Sequence, residues 1–134
     1  MSTVTRLKRK PHVVYNLSYH LVWCPKYRRP VLVDEIATRL EEILLEKAEE
    51  LGVTVESLSI QPDHVHLFTR TEPRHAPQFV VNQLKGISSR RLREEFPSLK
   101  SRLPTLWTRS YFVDSVGVLN EFTVRKYIES QRGK

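Results

Sequence analysis

From Val13 to Trp23, apolar side chains take every odd position: Val13, Tyr15, Leu17, Tyr19, Leu21 and Trp23. Asn16, Ser18 and His20 take even ones. A period of two is what a strand buried on one face requires, and it predicts a strand over 13–23. Pro25 and Pro30 then bracket Lys26, Tyr27, Arg28 and Arg29. Proline cannot donate to a ladder, so this is a basic loop. Ile36, Leu40, Ile43, Leu44, Ala48 and Leu51 recur at three- and four-residue steps and Gly52 follows, which predicts an amphipathic helix with an acidic outer face. Val53 to Ile60 is β-branched enough for a second strand, and Pro62–Asp63 turns into a third over His64 to Arg70. Phe79, Val80, Leu84, Ile87, Leu92 and Phe96 outline a second helix, which Pro97 ends. After a loop to Leu106, the segment from Trp107 to Val113 reads as a fourth strand. Asn120 is placed to cap a last helix that runs to about Gln131.

The predicted order is β-α-β-β-α-β plus a helix. This is an α+β, ferredoxin-like antiparallel sheet in which two helices cover one face and the other face is left for a ligand or for the last helix. A chain of 134 residues with 40% hydrophobic content buries one core, so 1–134 is expected to be a single domain preceded by a basic arm over 1–12. No run approaches the roughly 18 apolar residues of a membrane span. The N-terminus lacks a secretory signal, and the single Cys24 excludes an internal disulfide or a four-cysteine zinc site. A cytoplasmic home is expected.

The net charge of +7 hides a separation. Residues 34–56 carry eight acids against Arg39 and Lys47, a balance of −6, and the remainder carries +13. An asymmetry of this kind on a small domain favours a polyphosphate partner.

His64 and His66 flank Val65, and residues two apart on a strand share a face, so both imidazoles can meet one ion. Val65 and Leu67 would then point to the core, with His64, His66 and Phe68 on the exposed side. Among the tyrosines, Tyr15, Tyr19 and Tyr111 read as packing residues, leaving Tyr27 and Tyr127. Gln131 stands one helical turn beyond Tyr127, so a phenol and a carbonyl oxygen are presented together, although an aromatic on an amphipathic helix also serves packing. A phenol has a pKa of about 10, so attack on a phosphodiester needs its phenolate stabilised. A divalent ion held by His64, His66 and Gln131 would polarise a phosphate oxygen. Tyr127 would then displace the 3′ oxygen, leaving a 5′-phosphotyrosine and a free 3′ hydroxyl. The bond energy is retained in that product, so rejoining needs no nucleotide cofactor.

Four ordered segments resemble the IS200/IS605-type single-tyrosine transposases. They are Tyr15 to Arg28 (YNLSYHLVWCPKYR), Pro62 to Leu67 (PDHVHL), Leu106 to Phe112 (LWTRSYF) and Val124 to Gln131 (VRKYIESQ). The likeness covers roughly 13–131. It implies that His64, His66 and Gln131 are metal ligands and that Tyr127 is the nucleophile. It also implies a homodimer whose tyrosine helices complete each other's sites, single-stranded DNA with imperfect hairpins as substrate, and excision through a circular intermediate. Magnesium is the ion the resemblance implies, while two imidazoles suit manganese or zinc by ligand softness.

DNA contact is expected from Lys26, Arg28 and Arg29 in the basic loop and from Lys85, Arg90, Arg91 and Arg93 on the second helix, chiefly to phosphates. The arm from Arg6 to Lys10 could contact phosphate or simply fray. Asp63 is placed either to orient an imidazole or to cap its own turn. Two other readings stand beside the transposase. One is a non-catalytic nucleic-acid-binding domain of ferredoxin or RRM-like fold, although the third strand offers two histidines and Phe68 rather than an aromatic pair. The other is a replication or conjugation initiator, a class that generally carries further domains.

Overall fold

The computed structural model describes residues 8–10, 13–15, 17–115 and 121–134, with side chains over 17–115 and 125–134. Its elements in chain order are β1 (Lys8–Lys10), β2 (Val13–Tyr15), β3 (Leu17–Trp23), α1 (Asp34–Leu51), β4 (Thr54–Gln61), β5 (His64–Thr71), α2 (Pro77–Glu95), α3 (Pro97–Arg102), β6 (Phe112–Ser115) and α4 (Glu121–Ser130). β4, β5, β3 and β6 lie in that order in one antiparallel sheet. This is the α+β sheet the periodicities predict, with the extra C-terminal helix.

α1 forms because Leu40, Ile43, Leu44 and Ala48 fall on one stripe and are all buried. It stops at Gly52, whose φ of 74° is open to glycine without strain and lets its N–H cap the Ala48 and Glu49 carbonyls. α1 and α2 cover one face of the sheet. Beneath them Trp23, Leu21, Val65 and Leu67 from the two central strands meet Val80, Val81, Leu84 and Leu92. Each such Leu or Val contributes about 1.5–3 kcal/mol by leaving water. Trp23 and Trp107 meet edge to face at 6.0 Å, an arrangement that aromatic quadrupoles favour. Among the described residues no helix is long and apolar enough to cross a membrane.

Several expectations need correction. The first strand is not one element. β2 pairs with β1 in a separate two-stranded ribbon, so part of the basic arm is a strand. Arg6 and Asn120 lie outside the described residues. Pro97 does more than end a helix, since it occupies the first turn of α3, where its missing N–H costs nothing. The strand expected over 107–113 begins only at Phe112. Trp107 makes a lone bridge to Pro25, which has no N–H to extend a ladder. Residues 106–110 are instead an irregular segment tied to neighbouring elements.

Candidate active site

The alternation in β5 places Val65, Leu67 and Thr69 in the interior and leaves His64, His66 and Phe68 half-buried on the opposite face. The two imidazole centroids are 4.9 Å apart. Register pairs Val22 with both His66 and Phe112, so these three side chains share that face. α4 packs on the same face, where Ile128 and Tyr127 join Val22, Cys24 and Phe112 in a second, smaller apolar cluster. The histidine pair and the tyrosine helix therefore occupy one side of one sheet, away from α1 and α2.

His64 Nδ1 lies 2.8 Å from Asp63 Oδ1, and the other carboxylate oxygen accepts from Arg28 Nε at 2.7 Å. A carboxylate only accepts, so Nδ1 carries the proton and His64 Nε2 keeps its lone pair for an ion. Burial pushes the Asp63 carboxyl up, but the hydrogen bonds from Arg28 and His64 outweigh it and hold it below the ordinary carboxylate value. Burial, with the neighbouring His64 and His20, holds His66 below the usual imidazole range, which favours the neutral ring a metal needs. Arg28 Nε is thus engaged by Asp63, which ties the basic loop to the turn before β5. The backbone of Arg28 and that of Tyr27 take φ of 54° and 60°, in the left-handed region that side chains rarely adopt.

Just past the end of α4, Gln131 is 4% exposed, an unusual burial for an amide, and its polar atoms are satisfied. Ser110 Oγ donates to Gln131 Oε1 at 2.9 Å, and Gln131 Nε2 donates to Ser130 Oγ at 3.0 Å. Ser110 Oγ also lies 3.0 Å from the Tyr127 hydroxyl. Its single proton goes to Gln131, so the tyrosine donates to the serine. Burial raises the Tyr127 phenol above its ordinary value, and the Ser110 hydrogen bond only partly offsets this. The phenol is therefore protonated at neutral pH.

Among the described residues, no group of three or more His, Cys, Asp and Glu side chains could hold a metal. An ion on the two imidazoles would need a further donor of another kind. The Gln131 carbonyl, buried on the same side of the sheet, has the right chemistry. That donor set fits a divalent cation.

Cys24, buried beneath α4, has its thiol pushed up to about 12, by burial first and by the Asp63 charge second. In the native protein it is expected to be silent toward a disulfide reagent at pH 7.5 and to titrate as one equivalent in guanidinium chloride. Rapid native labelling would show that α4 leaves the sheet.

The basic residues divide. Arg90 and Arg29 are exposed and Lys26 is half-buried. Arg91 faces Glu46 of α1 at 3.8 Å and Glu95 at 3.9 Å, so acids already occupy its surroundings. Arg93 donates to the Leu103 and Pro104 carbonyls. Lys85 departs furthest from expectation. It is 9% exposed, and its Nζ donates to the carbonyls of Thr108 at 2.6 Å and Ser110 at 3.1 Å. It points inward because Val81, four residues before it, Ser88, three after, and Leu92, a turn further on, make up the buried stripe of α2 on which it lies. That spacing is visible in the chain, but the charge of Lys85 draws the reading outward. Ser110 lies in the LWTRSYF segment that carries the resemblance, but neither its residue type nor its spacing marks it as part of the site.

The family described as "Transposase IS200 like" matches residues 13–131. The ISDra2 transposase TnpA of Deinococcus radiodurans is 42% identical over 130 residues, which cover 96% of this chain and 93% of that protein. The transposase for insertion sequence element IS200 of Salmonella typhimurium is 32% identical over 126 residues, 92% of this chain and 82% of the relative. The crystal structure of a transposase from Deinococcus radiodurans superposes with a TM-score of 0.87 at 40% identity, over 95% of this chain and 99% of that one. A REP-associated tyrosine transposase bound to a REP hairpin superposes at 0.58 with 10% identity, over 91% of this chain and 68% of that one, and shares the fold.

Proposed function

As this chain belongs to the IS200-like transposase family, we propose that it binds hairpins at the ends of an insertion sequence and cleaves and rejoins single-stranded DNA through a 5′-phosphotyrosine on Tyr127. The observation that carries this reading is the common placement of His64, His66, Tyr127 and Gln131 on one sheet face, with Tyr127 and Gln131 tied through one serine.

His64, His66 and Gln131 would hold a divalent ion, magnesium or manganese. When bound it supplies Lewis-acid stabilisation of charge on a nonbridging phosphate oxygen. The chain's own residues do the rest. Asp63 fixes the His64 tautomer, so that Nε2 faces outward with a lone pair. The Ser110 hydrogen bond holds the phenol oxygen in place; as that oxygen bonds to phosphorus its proton passes to water, the phosphorus–3′ oxygen bond breaks, and the departing 3′ oxygen takes up a proton from water. The 3′ hydroxyl so formed can reverse the step on the phosphotyrosine, which rejoins strands with no nucleotide cofactor. Exposed Arg29 and Arg90, with Lys26, would position phosphates. Hairpin DNA as partner accords with the structural relative of the same fold that is bound to one. We also propose a homodimer whose tyrosine helices are shared between protomers.

Incubating the protein with single-stranded DNA from the flanks of its own gene and magnesium tests this. A protein-linked 5′ end and a free 3′ hydroxyl are the expected products, both lost on adding EDTA and restored by excess magnesium. Hairpin binding with no adduct under any divalent ion would favour the non-catalytic nucleic-acid-binding reading instead.

A further inference from the structure

The segment 106–110 runs between the two helical layers. Toward α2, Trp107 Nε1 donates to Ser88 Oγ at 3.0 Å and Lys85 Nζ donates to the Thr108 and Ser110 carbonyls. Toward the sheet, Thr108 N–H donates to the Cys24 carbonyl at 3.0 Å. Toward α4, the Ser110 hydroxyl meets both Tyr127 and Gln131. A buried ammonium is costly unless its donors are used, and an apolar residue would fill the same stripe without that cost. Burial, opposed in part by Cys24, pulls Lys85 down to about 8, so at neutral pH it is still charged, with carbonyl dipoles as its compensation. Those two carbonyls bracket Arg109, and fixing both fixes where the intervening backbone, and hence the Ser110 side chain, stands.

α4 needs such a fix. Among the described residues, its apolar contact with the sheet is a small cluster of Val22, Cys24 and Ile128 with Phe112 and Tyr127 partly buried against it. Apolar contact of that size holds a helix on a face but is non-directional, whereas a hydrogen bond sets distance and angle. A displacement near 1 Å of a reacting group costs on the order of 10²-fold in rate.

We propose that Lys85 and Ser110 form a positioning relay, in which the buried Lys85 ammonium pins the Thr108–Ser110 backbone and the Ser110 hydroxyl so placed sets the Tyr127 phenol and the Gln131 carbonyl relative to each other. Neither residue touches DNA in this role. The inference rests on the assignment of Tyr127 and Gln131 given above, and it makes a basic residue of α2 part of the active site's framework rather than of its DNA surface.

The test uses the oligonucleotide that the wild-type protein cleaves, with Lys85→Met, Ser110→Ala, the double variant and Ser110→Thr. For each, single-turnover cleavage and hairpin affinity are measured. Lys85→Met and Ser110→Ala are each expected to slow cleavage about 10- to 100-fold with hairpin affinity within about twofold of wild type. The double variant should be no slower than the worse single one, because both act through one hydroxyl. Ser110→Thr, which keeps that hydroxyl, should return to within about threefold of wild type. Multiplying losses in the double variant, equal losses of affinity and cleavage, or cleavage by Lys85→Met at or above the wild-type rate would overturn the relay. Should Lys85→Met fail to fold, Ser110→Ala decides alone, since its side chain lies in an exposed residue; unchanged cleavage there overturns the proposal. An adduct that persists in Tyr127→Phe would instead overturn the nucleophile assignment itself, whatever the Lys85 result.

Discussion

Replacing Tyr127 with Phe is expected to leave hairpin binding intact while abolishing strand cleavage and the covalent adduct, a loss of at least about 10⁴-fold. Only the phenolic oxygen is removed. The ring keeps its place against Phe112, 5.9 Å between centroids, and α4 keeps its apolar contacts with Val22 and Cys24. The lost hydrogen bond to Ser110 lies at an exposed residue, where water replaces it, so stability should change by no more than about 1 kcal/mol. Labelled DNA on a denaturing gel reads the adduct, and fluorescence anisotropy reads the affinity. An adduct surviving in this variant would move the nucleophile elsewhere, with Tyr27 the first alternative: it is 39% exposed and lines a cavity of about 580 Å³ beside Asp63.

His64→Ala is expected to cut magnesium-dependent cleavage by about 10³-fold or more while hairpin affinity stays within about threefold, because phosphate contacts made elsewhere dominate binding. The variant removes the imidazole that Asp63 orients, and Asp63 keeps its ion pair with Arg28, so the β4–β5 turn should hold its shape. Thermal unfolding of the variant checks that. Mixed with Tyr127→Phe protein, it also tests how sites are assembled. If tyrosine helices are exchanged in a homodimer, half of randomly assorted dimers are mixed and each has one intact site, so about a quarter of wild-type activity returns. No recovery would place both halves of the site in one chain, an arrangement that the docking of α4 on its own sheet already permits.

The two strongest features of the site could be read directly from the chain, and each for a geometric reason. Successive residues of a strand face opposite ways, so His64-Val65-His66 beside a buried Leu67 specifies two imidazoles on the outer face. Residues four apart stack along a helix, and Gln131, in the turn that directly follows α4, does meet the same Ser110 hydroxyl as Tyr127. What a basic side chain touches is set by other elements. Arg28, Arg91, Arg93 and Lys85 all look like surface cations in sequence, yet they are engaged respectively by a carboxylate on the β4–β5 turn, acids on α1 and α2, carbonyls after α3 and carbonyls of the 106–110 segment. Their partners are 35 residues away for Arg28 and 23 for the nearer Lys85 carbonyl, beyond the reach of any local pattern.

The failure of the strand expected over 107–113 follows the same line. Apolar residues from Trp107 onward are spaced well enough for a strand, but Trp107 is drawn edge-on to Trp23 and its indole to Ser88, so core packing outweighs local propensity. Periodicity in this chain determined which face each strand and helix would bury, because that depends only on repeat and hydrophobicity. The tertiary structure decided which polar groups would meet across the layers. Hydrogen-bond partners such as Lys85 with the Thr108 carbonyl, or Ser110 with Tyr127 and Gln131, exist only once separate elements are packed at fixed distances.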